Sequence, residues 1–179
     1  MTAARNIQNI ALIGFMGTGK STIGRSVADQ LRFTFLDTDE LIVAAAGKPI
    51  TEIFAKQGET AFREMESKLV EELAGRTQTV ISTGGGVPVN PANLASLKTH
   101  ALVVCLWASP EKIWENVRGQ THRPLVNVPD PKEKIRALLA EREPFYRQAD
   151  VLVNTGLRSQ KEIAQQVITQ FRLAKSDRR

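Results

Sequence analysis

Short apolar runs alternate along the chain with longer segments in which apolar positions recur every three or four residues. That alternation predicts strands separated by amphipathic helices, the pattern of an α/β domain built on a parallel sheet. Five runs read as strands: residues 10–13, 34–36, 80–82, 102–106 and 151–153. Most are apolar throughout, as strands covered on both faces are. Helical stripes lie between them. Ile23, Val27 and Leu31 share one face of residues 20–31, and Phe62, Met65 or Glu66, Leu69 and Leu73 share another, with Gly75 placed to stop it. Asn90-Pro91 and Ser109-Pro110 each set a capping side chain before a proline at the first helical position. Ser159 to Glu162 is a capping box ahead of Ile163, Val167 and Phe171. Residues 119–131 break the pattern: they hold Pro124, Pro129 and Pro131, show no period, and read as a lid or binding loop.

With 179 residues, 42% hydrophobic and 24% charged, the chain is one ordinary globular domain spanning 1–179. No apolar run approaches the ~20 residues of a membrane span, and nothing at the start resembles an export signal, so a cytoplasmic protein is expected. The single Cys105 excludes an internal disulfide and a Cys-cluster zinc site, and reads as a small core side chain. His100 and His122 are too isolated to make a metal site; His100 is expected on a surface turn. Charge is uneven. Residues 1–117 carry 11 Lys/Arg against 12 Asp/Glu, whereas residues 118–179 carry 13 against 7. A basic final third suits nucleic acid, an anionic membrane surface or small anions. Dispersed arginines and an aromatic content of 6% argue against a nucleic-acid surface, which would interleave stacking rings.

Gly14-Phe15-Met16-Gly17-Thr18-Gly19-Lys20-Ser21 matches G-x-x-x-x-G-K-[ST] at every fixed position, between a predicted strand and a predicted helix. Glycines let such a loop turn its N–H groups toward an anion, and the following helix adds its dipole. Lys20 would reach the β- and γ-phosphates, and the Ser21 hydroxyl would ligate Mg²⁺. A dinucleotide fingerprint needs G-x-G-x-x-G, but the glycines here run G-x-x-G-x-G. Asp37-Thr38-Asp39 follows the second strand, where ligands of doubly wound sheets collect. Asp37 is placed for the metal side, through water. Alternation along extended chain would turn Asp39 the same way, toward an acceptor hydroxyl; either carboxylate could instead cap the next helix. No Asn-Lys-x-Asp base reader is present and the chain is short for a motor, which leaves a small kinase.

From these residues the sequence resembles the shikimate kinase family over nearly its whole length. The motifs that agree are the phosphate loop with Lys20-Ser21-Thr22, Asp37-Thr38-Asp39, Gly58-Glu59-Thr60-Ala61-Phe62-Arg63-Glu64-Met65-Glu66, Ser82-Thr83-Gly84-Gly85-Gly86, Arg123-Pro124-Leu125, and Arg142 with Tyr146. The resemblance implies a three-layer, doubly wound, five-stranded parallel sheet of the P-loop NTPase, nucleoside-monophosphate-kinase-like class. It also implies a lid at about 119–131 and a substrate-binding flap at about 39–66. The implied reaction moves the γ-phosphate of ATP to the 3-hydroxyl of shikimate, with Mg²⁺ as cofactor. Gly17, Thr18, Gly19, Lys20, Ser21 and Thr22 would hold the phosphates, Arg118 and Arg158 would flank the adenine, and Arg123 would arrive with the lid. Shikimate has one carboxylate and three hydroxyls. Arg63 and Arg142 suit the carboxylate, Gly84, Gly85 and Gly86 a floor open to the ring, and Asp39 the hydroxyls. Lys20, Asp39 and Arg123 would be the catalytic residues. The expected partners are ATP and shikimate alone, without nucleic acid or membrane, on a monomer. Rival readings are a gluconate kinase of the same architecture and a non-catalytic nucleotide-dependent switch.

Overall fold

The computed structural model describes residues 5–119 and 128–176. Arg123, His122 and most of the expected lid lie outside the described residues. The elements run β1 (Asn9–Ile13), α1 (Lys20–Leu31), β2 (Thr34–Asp37), α2 (Thr38–Ala46), α3 (Ile50–Leu73), β3 (Thr79–Ser82), a 3₁₀ turn (Val87–Val89), α4 (Pro91–His100), β4 (Ala101–Trp107), α5 (Pro110–Val117), α6 (Pro131–Tyr146), β5 (Val151–Asn154) and α7 (Gln160–Ser176). All five predicted strands are present. They form one parallel sheet in the order β2-β3-β1-β4-β5, with helices on both faces.

The continuous apolar strands separate two cores. Ala11, Ile13, Ile81, Val103 and Cys105 face one side and pack with residues of α3, α4, α5 and α6. Ile10, Leu12, Val80, Val104 and Leu106 face the other and pack under α1 and α7. Period-two alternation at the backbone thus becomes two buried layers, because helices cover both faces. The caps behave as their residue types require. Asn90 accepts from the Ala92 N–H at 3.0 Å and Ser109 from the Lys112 N–H at 3.2 Å. Glu162 accepts from the Ser159 N–H at 2.8 Å while Ser159 Oγ accepts from the Glu162 N–H at 3.3 Å. Gly75 is not a left-handed stop: α3 ends at Leu73, and Ala74 caps it in right-handed conformation.

Strand ends set what lies near what. Leu12 pairs with Ser82, Ile13 with Cys105 and Asp37 with Ser82. The carboxyl ends of β1, β2 and β3 are therefore level, and the segments that follow them open into one crevice.

His100 differs from its expected place on a surface turn. It ends α4 and is buried, with Nδ1 2.9 Å from the Asn9 Nδ2 at the amino ends of the strands. Asn9 also donates to the Arg76 carbonyl at 2.6 Å and accepts from the Thr79 N–H at 3.0 Å, so the imidazole completes a buried polar link between strand layers. Burial lowers the His100 pKa below its ordinary 6.5. The unfolded chain then binds the proton more readily than the native one, so His100 leaves stability intact above that value and erodes it as pH falls through and below it. The His100→Gln variant is expected to lose less stability than the parent between about pH 7.5 and about pH 5 in denaturant titrations. Equal losses in the two proteins would contradict this.

Candidate active site

The crevice is a cavity of about 580 Å³ lined by residues of the phosphate loop, both aspartates, the glycine triplet, Arg63, Glu66 and Arg142. Its phosphate side begins where β1 ends. Gly14 has φ 136°, and a Cβ there would sit 2.1 Å from the Leu106 carbonyl oxygen, so only glycine lets the loop leave the sheet. Gly17 (φ 75°) is equally constrained, because a Cβ would meet Val117 at 2.6 Å. Thr18 does not line the cavity: it is buried and its hydroxyl donates to the Phe15 carbonyl at 2.8 Å, which braces the loop from within. Lys20 Nζ crosses the loop to the Gly14 and Phe15 carbonyls at 2.8 and 2.9 Å. Gly17, Gly19, Lys20, Ser21 and Thr22 all line the cavity, at and beside the amino end of α1.

Ser21 Oγ donates to Asp37 Oδ2 at 2.8 Å. The other Asp37 oxygen, Oδ1, accepts from the Asp39 and Glu40 N–H groups and caps α2. Asp37 therefore caps the next helix with one oxygen, as one of the readings considered for it has it, and with the other accepts from Ser21. Asp39 reaches the cavity by a different route from the expected one. Thr38 already begins a helix, so the first turn of α2, not strand alternation, aims its carboxylate inward. Thr38 is fully buried, and its Oγ1 accepts from the Gly84 N–H at 2.9 Å, locking the aspartate pair to the glycine triplet.

The opposite wall carries the cations. Helix α3 is interrupted at Gly58 (φ 84°, ψ 172°), and the part beyond that break presents Arg63 and Glu66. Arg63 Nη1 donates to Glu66 Oε2 at 2.6 Å, and its Nε and Nη2 contact the exposed Glu59 at 3.3 and 3.0 Å. Glu66 is 1% exposed while the Arg63 side chain keeps 35%, so this is a half-buried pair rather than the surface pairing common on acidic helices. Burial pushes the Glu66 pKa up, Arg63 opposes the rise, and the Asp39 charge adds to it. Burial weighs against the Arg63 charge, but the Glu66 and Glu59 carboxylates outweigh it and raise the Arg63 pKa. The glycine triplet fits against these groups. A Cβ on Gly84 would lie 2.7 Å from Asp39 Oδ1 and 2.8 Å from Glu66 Oε1, and one on Gly86 would lie 2.1 Å from Arg63 Nη1. Arg142 approaches the Gly85 position from α6, with its guanidinium 5.6 Å from the Phe15 ring centroid.

Arg118 and Arg158 do not line this cavity. Arg118 ends α5, and exposed Arg158 donates to Gln166 on α7. The cavity instead takes Asn116, whose Nδ2 donates to the Gly17 carbonyl at 2.8 Å, and Gln160 at the start of α7. Sequence reasoning passed over both. It also placed Glu66 on a core stripe and, with Glu59, weighed it only as a surface partner of Arg63; the structure pairs Arg63 with both. Among the described residues no cluster of three or more His, Cys, Asp or Glu could hold a metal by itself. The pair Ser21 and Asp37 supplies hard oxygen donors, which fits a magnesium ion that keeps water and phosphate as its other ligands. No helix among those residues is long and apolar enough to cross a membrane.

The chain is similar to known proteins over most of its length. A shikimate kinase from Caldanaerobacter subterraneus subsp. tengcongensis is 44% identical over 165 residues, covering 92% of this chain and 96% of that protein. A shikimate kinase from Synechococcus sp. is 48% identical over 145 residues, covering 80% and 76%. The structure of shikimate kinase from Acinetobacter baumannii in complex with shikimate superposes with a TM-score of 0.88 at 36% identity, over 98% of this chain and 97% of that one. A gluconokinase from Sinorhizobium meliloti shares the fold alone, at 18% identity and a TM-score of 0.63. The family model described as "Shikimate kinase" matches residues 16–172, and the chain belongs to that family.

Proposed function

We propose that the protein transfers the γ-phosphate of ATP to the 3-hydroxyl of shikimate, giving shikimate 3-phosphate and ADP. One observation carries the reading: two arginines and an aspartate converge on a side-chain-free glycine floor in the same cavity as the phosphate loop. A carboxylate bound by Arg63 and Arg142 would place the ring over Gly84, Gly85 and Gly86, with its hydroxyls toward Asp39. Arginine suits this task because its planar fork matches both oxygens of a carboxylate. Asp39 would hold and orient the attacking hydroxyl. Little more is needed, because phosphoryl transfer through a loose transition state is governed by position and charge. The acceptor oxygen bonds to the γ-phosphorus as the bond to the bridging oxygen breaks, and the hydroxyl proton leaves toward the Asp39 side.

On the nucleotide side, the loop N–H groups, Lys20 and the α1 dipole would hold the phosphates, with Gly17, Thr18, Gly19, Ser21 and Thr22 shaping the cradle. Ser21 and Asp37 would hold Mg²⁺ directly and through water, and that ion would neutralise phosphate charge. Arg123, from a lid at about 119–131, would add positive charge as the site closes, and the flap at about 39–66 would carry Asp39 and Arg63. Arg118 and Arg158 remain candidates for the adenine edge, with Asn116 and Gln160 nearer the cavity. We take the working unit to be a monomer in the cytoplasm that engages small molecules, not nucleic acid.

In a coupled assay, ADP release is expected to depend on shikimate and not on gluconate; turnover with gluconate but not shikimate would overturn the reading. The Arg63→Lys variant keeps the charge but loses the fork. Its KM for shikimate should rise roughly ten- to a hundredfold with ATP affinity unchanged, since hydrogen bonds to charged groups are worth about 1.5–3 kcal/mol. Unaltered shikimate kinetics would contradict the clamp.

A further inference from the structure

Tyr146 is the only tyrosine in the chain, and nothing in the reaction above employs it. It sits four residues after Arg142 on α6, so the two side chains emerge from one helical face. Its ring is 6% exposed within the core, and its hydroxyl donates to the Gly85 carbonyl at 2.8 Å. The Arg142 guanidinium lies beside the same phenol. Burial pushes the Tyr146 pKa up to about 12, against the pull of that neighbouring charge, so the hydroxyl stays protonated and remains a donor at physiological pH. One oxygen thus joins the middle of the glycine floor to the helix that carries one arm of the arginine pair.

On the other flank of the Tyr146 ring lies a second cavity of about 590 Å³, lined by Cys105, Leu139 and Leu152 among others. A phenyl ring without the hydroxyl would no longer be tied to the floor, and the Gly85 carbonyl would lose its donor, so the two would be free to shift apart. Because Arg142 and Gly85 are both referred to Tyr146, such movement changes the spacing between clamp and floor. The phosphate loop borders the same groups, through the Gly14 carbonyl and the Phe15 ring, but it is braced separately by Thr18 and Asn116.

We propose that Tyr146 is a positioning residue for the acceptor: its hydroxyl sets Arg142 against Gly85 at the spacing that receives a carboxylate-bearing ring. This rests on the functional reading above. The Tyr146→Phe variant removes only the hydroxyl. Its KM for shikimate should rise roughly five- to tenfold, the scale of one lost hydrogen bond, with the KM for ATP within about twofold of the parent. Arg142→Lys combined with Tyr146→Phe should raise that KM no further than Arg142→Lys alone, because the tyrosine acts through the arginine. A purely structural role would lower the melting temperature and leave both KM values unchanged, and that result overturns the proposal, as would additive effects in the double variant. Should Tyr146→Phe fail to fold, the intact chain labelled with 3-fluorotyrosine reports on this one position. Its ¹⁹F resonance should shift on saturation with shikimate, and an unmoved resonance overturns the proposal. If the parent protein does not phosphorylate shikimate, the functional reading fails; if it does and Tyr146→Phe matches it, only this inference fails.

Discussion

The level alignment of three parallel strand ends is the constraint from which the site follows. With Leu12, Ser82 and Asp37 in register, the phosphate loop, the aspartate pair and the glycine triplet must leave the sheet side by side. None of these segments is near another in sequence. The sheet supplies the proximity, and the apolar strand faces that pay for it are buried beneath two helical layers. Thr38 and Tyr146 then stitch the triplet to its neighbours from opposite sides, through the Gly84 N–H and the Gly85 carbonyl.

Within that frame the charge arrangement has its own logic. Asp37, Asp39 and Glu66 line one cavity together with Lys20, Arg63 and Arg142. Glu66 is the least expected member. A carboxylate at 1% exposure has a large desolvation cost, which its bond to Arg63 offsets only in part. The consequence for function is orientation: the guanidinium is held from behind by Glu66 and flanked by Glu59 while lying against Gly86. Its freedom is spent before any ligand arrives, which is how preorganised sites gain affinity.

Much of this was legible in the sequence, because the relevant signals are local. The five strands, the caps at Asn90, Ser109 and Ser159, and the phosphate loop each declare themselves within a few residues. Signals that depend on what packs against a residue were not legible. Glu66 sits on an apolar stripe and looks like a register slip until Arg63 is seen beside it. His100 looks like a polar turn until Asn9 is seen across the sheet. Asp39 was placed in the crevice by strand alternation, although the first turn of α2 is what takes it there. Asn116 carries no motif at all, yet its amide holds Gly17. Arg118 and Arg158 came from the resemblance alone, on a spacing that matches it less cleanly, and the residues that line the cavity there are Asn116 and Gln160.

The proposed transfer requires nucleotide and acidic ring to occupy a single cavity, with the acceptor oxygen facing the phosphate chain. A crystal structure with a non-hydrolysable ATP analogue and shikimate tests it most directly. The carboxylate is expected on Arg63 and Arg142, the ring on Gly84 to Gly86, and the 3-hydroxyl between Asp39 and the γ-phosphate. A ring bound outside this cavity, or turned so that its carboxylate faces Asp37 and Lys20, would contradict it.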